Sequence, residues 1–116
     1  MKITLMGEPR STNHLYKSIC RGRHPQVYLS QEGKAVKTAY QWEAKTQWKE
    51  KPMEGDVELW VTFYFKTKRK RDLDNANKLW QDALAGVVYH DDSQIAHLHL
   101  EREYDPIHPR IEIEVV

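Results

Sequence analysis

Two groups of carboxylates and one run of cations have the types and spacing needed for chemistry. Five of the six residues 66–71 are Lys or Arg, and the acids Asp72 and Asp74 follow immediately. A second acidic pair, Asp91 and Asp92, comes about one helix-length later. Cations bind phosphates, and clustered carboxylates bind divalent metal ions, so this order of residues predicts metal-assisted hydrolysis of a phosphodiester.

The ligand types indicate which metal is expected. Ionised carboxylates that converge repel one another by several kcal/mol per close pair at an effective dielectric constant of about 20, so a cation must compensate. Oxygen-only ligands beside a phosphate favour Mg²⁺, with Mn²⁺ as a possible substitute. Lys78 follows Asp74 by four residues, which on a helix places both on one face. Its ammonium group could orient the attacking water or stabilise the phosphate.

The same residues also have a purely structural interpretation. Asp74 could cap a helix and pair with Lys78, and Asp91 and Asp92 could be turn residues. Capping requires only one acid, however, and it does not explain a cationic run that leads into the same turn. The sequence therefore favours a functional role for the acids, provided that the two groups converge in the fold.

The composition places limits on the class of protein. Residues 1–71 contain 15 Lys or Arg and 7 Asp or Glu, whereas residues 72–116 contain 3 and 10, so the net charge of +1 hides a strong segregation. This segregation keeps nucleic acid open as a partner. The single cysteine excludes an internal disulfide and fits a cytoplasmic protein. No apolar stretch reaches membrane-spanning length, so we expect no membrane association.

The elements that position these residues begin with a short strand, Lys2–Met6. Residues 7–26 read as a long loop whose P-R-S-T-N segment offers Arg10 and Asn13 for phosphate contacts. A helix capped by Ser30 is predicted to run to about residue 49, with a buried stripe of Val36, Ala39, Tyr40 and Trp48. Val57–Phe65 alternates apolar and polar residues and is the clearest strand.

The second half of the chain contains the predicted site. A helix is expected from residue 74 or 75 to Gly86, followed by a brief extended apolar run at 87–89. Ile95–Tyr104 and residues 110–116 read as two antiparallel strands. Together these elements predict a single α+β domain spanning 1–116, with a mixed β-sheet and two main helices packed on one of its faces.

Residues 71–94 read R-D-L-D-N-A-N-K-L-W-Q-D-A-L-A-G-V-V-Y-H-D-D-S-Q, and this block resembles the signature of the RusA family of Holliday junction resolvases. The segments P-R-S-T-N and R-G-R-H-P-Q-V-Y-L-S-Q-E-G-K resemble that family too. The resemblance implies a Mg²⁺-dependent endonuclease of DNA recombination and repair. It also implies a homodimer that nicks two opposed strands of a four-way DNA junction.

Family roles transfer to individual positions of this sequence. The resemblance implies a metal-binding triad of Asp72, Asp74 and one acid of the second pair, and the family pattern favours Asp92 over Asp91. It makes Lys78 the essential lysine. The residues expected to contact DNA are Arg10, Asn13, Lys66, Lys68, Arg69, Lys70 and Arg71. Two alternatives stay open: a non-catalytic module that binds branched DNA, and a metal-dependent nuclease for another nucleic-acid structure.

Overall fold

The computed structural model describes residues 1–10, 16–21, 24–68 and 76–116, with the backbone alone for 16–21 and 24–27. The elements in chain order are β1 (Lys2–Met6), β2 (Tyr16–Arg21), β3 (His24–Leu29), α1 (Gln31–Gln47), β4 (Val57–Phe65), α2 (Leu79–Leu84), β5 (Ile95–Tyr104) and β6 (Arg110–Val115).

Four strands form one mixed sheet in the order β1-β6-β4-β5. β4 pairs in parallel with β5 and antiparallel with β6, and β6 pairs antiparallel with β1. The predicted α+β class and mixed sheet are therefore confirmed. β5 and β6 run in opposite directions, as expected, but they do not pair with each other because β4 lies between them.

The core lies on one face of this sheet. Alternate residues of β4 are buried there, from Val57 to Phe65, and they face buried residues of β1 and β6. The two helices α1 and α2 cover the same face, as predicted. Their buried contributions are Tyr40 and Ala44 from α1 and Leu79, Trp80, Ala83 and Leu84 from α2. A register slip of one residue would turn all five apolar side chains of β4 away from this core.

The buried stripe of α1 differs from the prediction at one position. Tyr40, Ala44 and Trp48 are buried, Val36 is half-buried and Ala39 is exposed. These four inward residues recur every fourth position, so a single i, i+4 row faces the sheet and Ala39 lies outside it. The predicted cap is confirmed, since the Gly33 amide donates to Ser30 Oγ at 3.1 Å.

Two polar side chains of α1, Glu43 and Gln47, hydrogen-bond to the backbone at the free edge of β1. Gln47 accepts from the Thr4 amide at 2.7 Å and donates back to the Thr4 carbonyl at 2.8 Å, and Glu43 accepts from the Met6 amide at 3.2 Å. The side chain of Gln47 thus takes the place of a neighbouring strand's peptide group. The edge of β1 is covered by these contacts, which protects it against pairing with another chain.

Residues 7–26 are not one continuous loop. Within the described residues, β2 and β3 pair antiparallel in a separate two-stranded sheet, from Tyr16 opposite Leu29 to Arg21 opposite His24. The loop prediction was therefore wrong for these residues. These residues lack the period-two alternation of apolar residues that marks a half-buried strand. The sequence pattern therefore did not indicate the hairpin.

The second helix is shorter than predicted, but its end is as expected. Described helical structure in α2 begins at Leu79, not near residue 74 or 75. Gly86 follows the helix with a φ of 87°, a left-handed conformation that favours glycine. Residues 86–88 form a turn, in which the Val87 and Val88 amides both donate to the Leu84 carbonyl at 3.0 Å, and Tyr89 then forms isolated β-bridges with Ala85 and Met53. The predicted extended run is thus wrong, because the left-handed Gly86 reverses the chain at once.

Among the described residues, no helix is both long enough and apolar enough to cross a membrane.

Candidate active site

The structure describes half of the residues predicted to form the site. Arg10, Lys66, Lys68, Lys78, Asp91 and Asp92 fall within it. The other predicted site residues, Asn13, Arg69, Lys70, Arg71, Asp72 and Asp74, lie outside the described residues.

The second acidic pair lies in a tight turn, in which the two acids occupy different positions. Asp92 begins a 3₁₀ helix that ends at Gln94, and Asp91 is its N-cap. The Ser93 hydroxyl donates to Asp91 Oδ2 at 2.7 Å, and this hydrogen bond, with help from the backbone amides of Asp92 and Ser93, lowers the pKa of Asp91. The carboxylate of Asp91 is thus engaged inside its own turn. Asp92 is exposed at the surface.

Gln94 fixes this turn to the rest of the molecule. Its Oε1 accepts from the backbone amides of His90 at 2.7 Å and Asp91 at 3.0 Å. Its Nε2 donates to the backbone carbonyls of Met53 and Gly55, both at 2.8 Å. One side chain therefore makes four hydrogen bonds that tie the acidic turn to the segment preceding β4. The spacing of Asp91 and Gln94 is that of a capping box, a signal that the sequence contains.

Tyr89 connects the acidic turn to α2. The ring is buried, and its hydroxyl donates to the Gln81 carbonyl at 2.8 Å. Burial raises the pKa of Tyr89, and the negative charges of Asp92, Asp82 and Asp91 raise it further. Acids from the turn and from the helix therefore act on the same hydroxyl group. The sequence did not single out Tyr89, because a tyrosine in an apolar run looks like an ordinary core residue.

Lys78 immediately precedes α2, at its N-cap position. Its Nζ lies 3.4 Å from Asp82 Oδ2, one turn into the helix, and about half of the side chain is exposed. Tyr89 and α2 therefore place Lys78 and Asp92 on neighbouring segments. That the lysine and the second acidic pair belong to one site stays a prediction, and the predicted helical pairing of Lys78 with Asp74 extends beyond the described residues.

Two buried polar atoms beside Lys78 lack a partner among the described residues: Asn77 Oδ1 and Trp80 Nε1. A buried polar atom without a hydrogen-bond partner is costly and requires an explanation, such as a water molecule or an ion. Asn77 belongs to the segment that joins Asp74 to Lys78 in the sequence. A water molecule, including one that hydrates a cation, or a residue outside the described ranges would supply the missing donor.

The two described cations of the cationic run, Lys66 and Lys68, lie far from the acidic turn. Lys66 and Lys68 follow the carboxyl end of β4, whereas Asp92 precedes β5 at the amino end, where Val57 pairs with Ile95. Nine residues of strand span roughly 26 Å. The structure therefore does not bring Lys66 and Lys68 together with Asp92.

Arg10 is engaged elsewhere. Its guanidinium forms an ion pair with Glu32 in the first turn of α1. A guanidinium has five N–H donors, and a carboxylate can accept at most two of them in a bidentate pair. The other donors of Arg10 would therefore stay available for a phosphate.

No group of three or more His, Cys, Asp or Glu side chains within the described ranges is positioned to hold a metal ion. Two of the three predicted ligands lie outside those ranges. The described part of the predicted site therefore consists of two exposed carboxylates, Asp91 and Asp92, the half-exposed ammonium of Lys78 and the buried oxygen of Asn77.

Comparison with known proteins identifies the family of the chain. A family model described as Endodeoxyribonuclease RusA matches residues 7–116, which include both acidic pairs, Lys78 and the cationic run. A search of curated proteins found no match. Because the family match covers almost the whole chain, the protein belongs to the RusA endodeoxyribonuclease family.

Proposed function

We propose that this protein is a Mg²⁺-dependent endonuclease that resolves Holliday junctions by paired nicks during DNA recombination and repair. The single observation that carries the proposal is the family match over residues 7–116. The exposed carboxylate of Asp92, linked to α2 through Tyr89, supports it.

The residues present fit a divalent cation. Asp92 offers an exposed carboxylate, and the donorless oxygen of Asn77 fits a neighbouring hydrated ion. In the proposal Asp72, Asp74 and Asp92 hold the ion, because all three supply the hard oxygen ligands that Mg²⁺ or Mn²⁺ prefers. The ion, when bound, lowers the pKa of a water molecule and neutralises charge on the phosphate.

Asp92, not Asp91, is the proposed ligand of the second pair. Asp91 Oδ2 already accepts a hydrogen bond from the Ser93 hydroxyl, and the family pattern favours Asp92. Lys78 is proposed to act on the phosphate or on the attacking water. Its ammonium, held near Asp82, would stabilise negative charge on the phosphate under attack or orient the attacking water.

The cations are proposed to hold the sugar-phosphate backbone of branched DNA. The cations are Arg10, Lys66, Lys68, Arg69, Lys70 and Arg71. The neutral side chain of Asn13 is proposed to contact the same backbone. A homodimer is proposed from the substrate, since a four-way junction is two-fold symmetric and must be cut at two related points. We also propose that residues 1–116 act as one domain in the cytoplasm.

Cleavage of a labelled synthetic four-way junction, with and without Mg²⁺, tests the proposal. The expected result is a pair of symmetric nicks that require the ion, and their loss in Asp72→Asn and Asp74→Asn with junction binding intact or tighter. Glu101→Gln, an exposed acid on β5, is the matched control and should cleave normally. Binding without any nicking would identify a non-catalytic module. Faster cleavage of flaps, linear duplex or RNA would identify another substrate.

A further inference from the structure

The strand β5 forms one edge of the main sheet. The sheet order is β1-β6-β4-β5, so β4 pairs with one side of β5, and no other strand among the described residues pairs with the opposite side. We call this opposite side the outer edge of β5. The strand is ten residues long. A long edge presents backbone N–H and C=O groups that can pair with a strand of another chain.

Alternate residues of β5 direct their backbone groups to the outer edge. The Asp105 amide donates to the Phe65 carbonyl at 2.9 Å, which continues the parallel pairing of β5 with β4 by one residue. Successive residues of a strand turn their backbone groups to opposite edges, so the odd-numbered residues of β5 bond to β4. The even-numbered residues Leu98 and Leu100 therefore direct their backbone groups to the outer edge.

The apolar layer under the sheet ends at the same edge. Leu98 and Leu100 pair with Leu59 and Val61 of β4, which are almost completely buried. Both β5 leucines pack against the core as well, yet each is only half-buried. A further strand at the outer edge would bury more of their apolar surface, and such burial is favourable.

The other face of β5 carries polar groups in a self-complementary order. His97 and His99 lie in the first half of the strand, and Glu101 and Glu103 lie in the second half. All four alternate with the two leucines and therefore lie on the face away from the helices. In an antiparallel pair of such strands, imidazoles face carboxylates. An edge that prevents pairing through its charges would instead set like charges opposite each other.

One register makes each of these pairs complementary. With Leu100 opposite its own counterpart, His99 faces Glu101 of the second copy, and His97 faces Glu103 of the second copy. Moving the centre to His99 sets two imidazoles opposite each other, and moving it to Glu101 sets two carboxylates opposite each other. A slip of one residue would place the leucines against the polar face.

We propose that β5 is the dimer interface of this protein, in which two copies pair antiparallel along this strand, centred on Leu100, and join their four-stranded sheets into one continuous sheet. The contact is isologous, with the two-fold axis through Leu100. The inference rests on the proposed function for the identity of the partner, a second copy of this chain. It gives the proposed homodimer an interface that the symmetry of the substrate does not locate.

Dimerisation, measured by sedimentation over a range of protein concentrations, tests this interface independently of cleavage. Wild type should dimerise. Glu103→Lys sets two cationic groups opposite each other and His97→Glu sets two carboxylates opposite each other, so each should raise the dissociation constant about tenfold. Both positions are exposed, so both variants should fold.

A mixture of these two variants provides the sharper test. The heterodimer contains one native pair and one exchanged pair of opposite charge, so an equimolar mixture should dimerise within about threefold of wild type. Glu114→Lys is the matched control. Glu114 is an exposed acid on the same face of the sheet, but it lies on β6, which β4 separates from β5, so this variant should dimerise like wild type.

Cysteine substitution measures the register. Leu100→Cys, combined with Cys20→Ser to remove the natural thiol, should form a disulfide-linked dimer on oxidation, because the two opposed Cα atoms lie about 5.5 Å apart. Leu98→Cys in the same background is the matched control. Its two copies would lie roughly 14 Å apart, beyond the reach of a disulfide, so it should remain unlinked on a non-reducing gel.

The outcomes separate this interface from the proposed function. A wild-type protein that stays monomeric, or a dimer unaffected by Glu103→Lys and His97→Glu, overturns the interface, and the proposed function stands if that protein cleaves junctions. Cross-linking through Leu98→Cys and not through Leu100→Cys overturns the proposed pairing as well. A protein that dimerises through β5 but cleaves no junction overturns the proposed function and leaves the interface in place.

Discussion

At the scale of single residues, the second acidic pair shows how neighbouring carboxylates can take different roles. Asp91 accepts a hydrogen bond from Ser93 and caps a turn, which lowers its pKa. Both acids are exposed and both raise the pKa of the Tyr89 hydroxyl, Asp92 more than Asp91. Sequence alone left the choice between them open, because both acids occupy adjacent positions in D-D-S-Q. Hydrogen bonding in the folded turn now favours Asp92 as the proposed ligand.

The two acids therefore should respond differently to the same substitution. Asp92→Asn should lower the single-turnover cleavage rate by at least about a hundredfold, because it removes a proposed metal ligand. Asp91→Asn keeps an oxygen that accepts from Ser93, so cleavage should stay within about threefold of wild type. Junction affinity, measured in parallel, should be unchanged in both variants. The opposite ranking of the two cleavage rates would assign the ligand to Asp91.

At the scale of elements, the acidic turn is positioned by Gln94, whose four hydrogen bonds join it to residues 53–55. Removing the side chain leaves two amides and two carbonyls without their partner. We expect Gln94→Ala to lower the free energy of unfolding by about 1–2 kcal/mol, measured by urea denaturation.

The same variant also tests whether the turn positions Asp92. Cleavage by Gln94→Ala should fall about tenfold at a temperature where the variant is fully folded, while its affinity for the junction is unchanged. Gln41→Ala, a half-buried glutamine on α1, is the control and should leave the cleavage rate unaffected. A Gln94→Ala protein that cleaves at the wild-type rate would show that the turn keeps its position without this side chain.

The sequence predicted most elements of the main sheet and both helices, because their apolar residues recur at periods of two or about four. Val57–Phe65 is the clearest example, since five alternating apolar residues permit only one register. The β2–β3 hairpin was missed because it has no such pattern. The pairing of β4 with β5, rather than β5 with β6, was also missed. Strand neighbours depend on three-dimensional connections that local periodicity does not encode.

At the scale of the whole molecule, the two faces of the main sheet differ in character. One is covered by the helices, and the other carries glutamates at Glu58, Glu101, Glu103, Glu112 and Glu114, by the alternation of the strands. Such an acidic face repels DNA, which leaves the ends of the sheet for the substrate. The sequence showed the segregation of charge along the chain, but the strand topology decided that Lys66 and Asp92 lie at opposite ends.

Arg110 organises the acidic face at the start of β6. Its Nη1 donates to Asp105 at 2.8 Å and its Nε to Glu112 at 2.6 Å, and its guanidinium lies 3.7 Å from the centre of the Tyr64 ring. Hydrogen bonds from the His108 amide and from Arg110 lower the pKa of Asp105. Burial opposes the shift at Glu112, but its partners Lys2 and Arg110 outweigh burial and lower the pKa there too.

These shifts predict how stability depends on pH. Because both carboxyls have lower pKa values in the folded protein than their ordinary values of 3.8 and 4.5, their contribution to stability is present above that range and is lost as pH falls through the folded pKa values. Melting temperature should therefore fall below about pH 4, and Arg110→Met should make that fall shallower by lowering stability at neutral pH.

Lys49→Met, which removes an exposed cation after α1, is the control for the pH experiment and should keep the wild-type profile. An Arg110→Met profile that runs parallel to wild type from pH 3 to pH 7 would mean that these ion pairs do not contribute.

The central claim is that acids from two separate segments hold one cation, and bound iron can test this directly. With Fe²⁺ in place of Mg²⁺, ascorbate and peroxide generate hydroxyl radicals at the ion, and these cut the polypeptide near its ligands. Mass spectrometry should find cuts around residues 72–74 and around residues 91–92, and Asp92→Asn should abolish both. Cuts confined to one of the two segments, or unchanged by Asp92→Asn, would contradict the shared site.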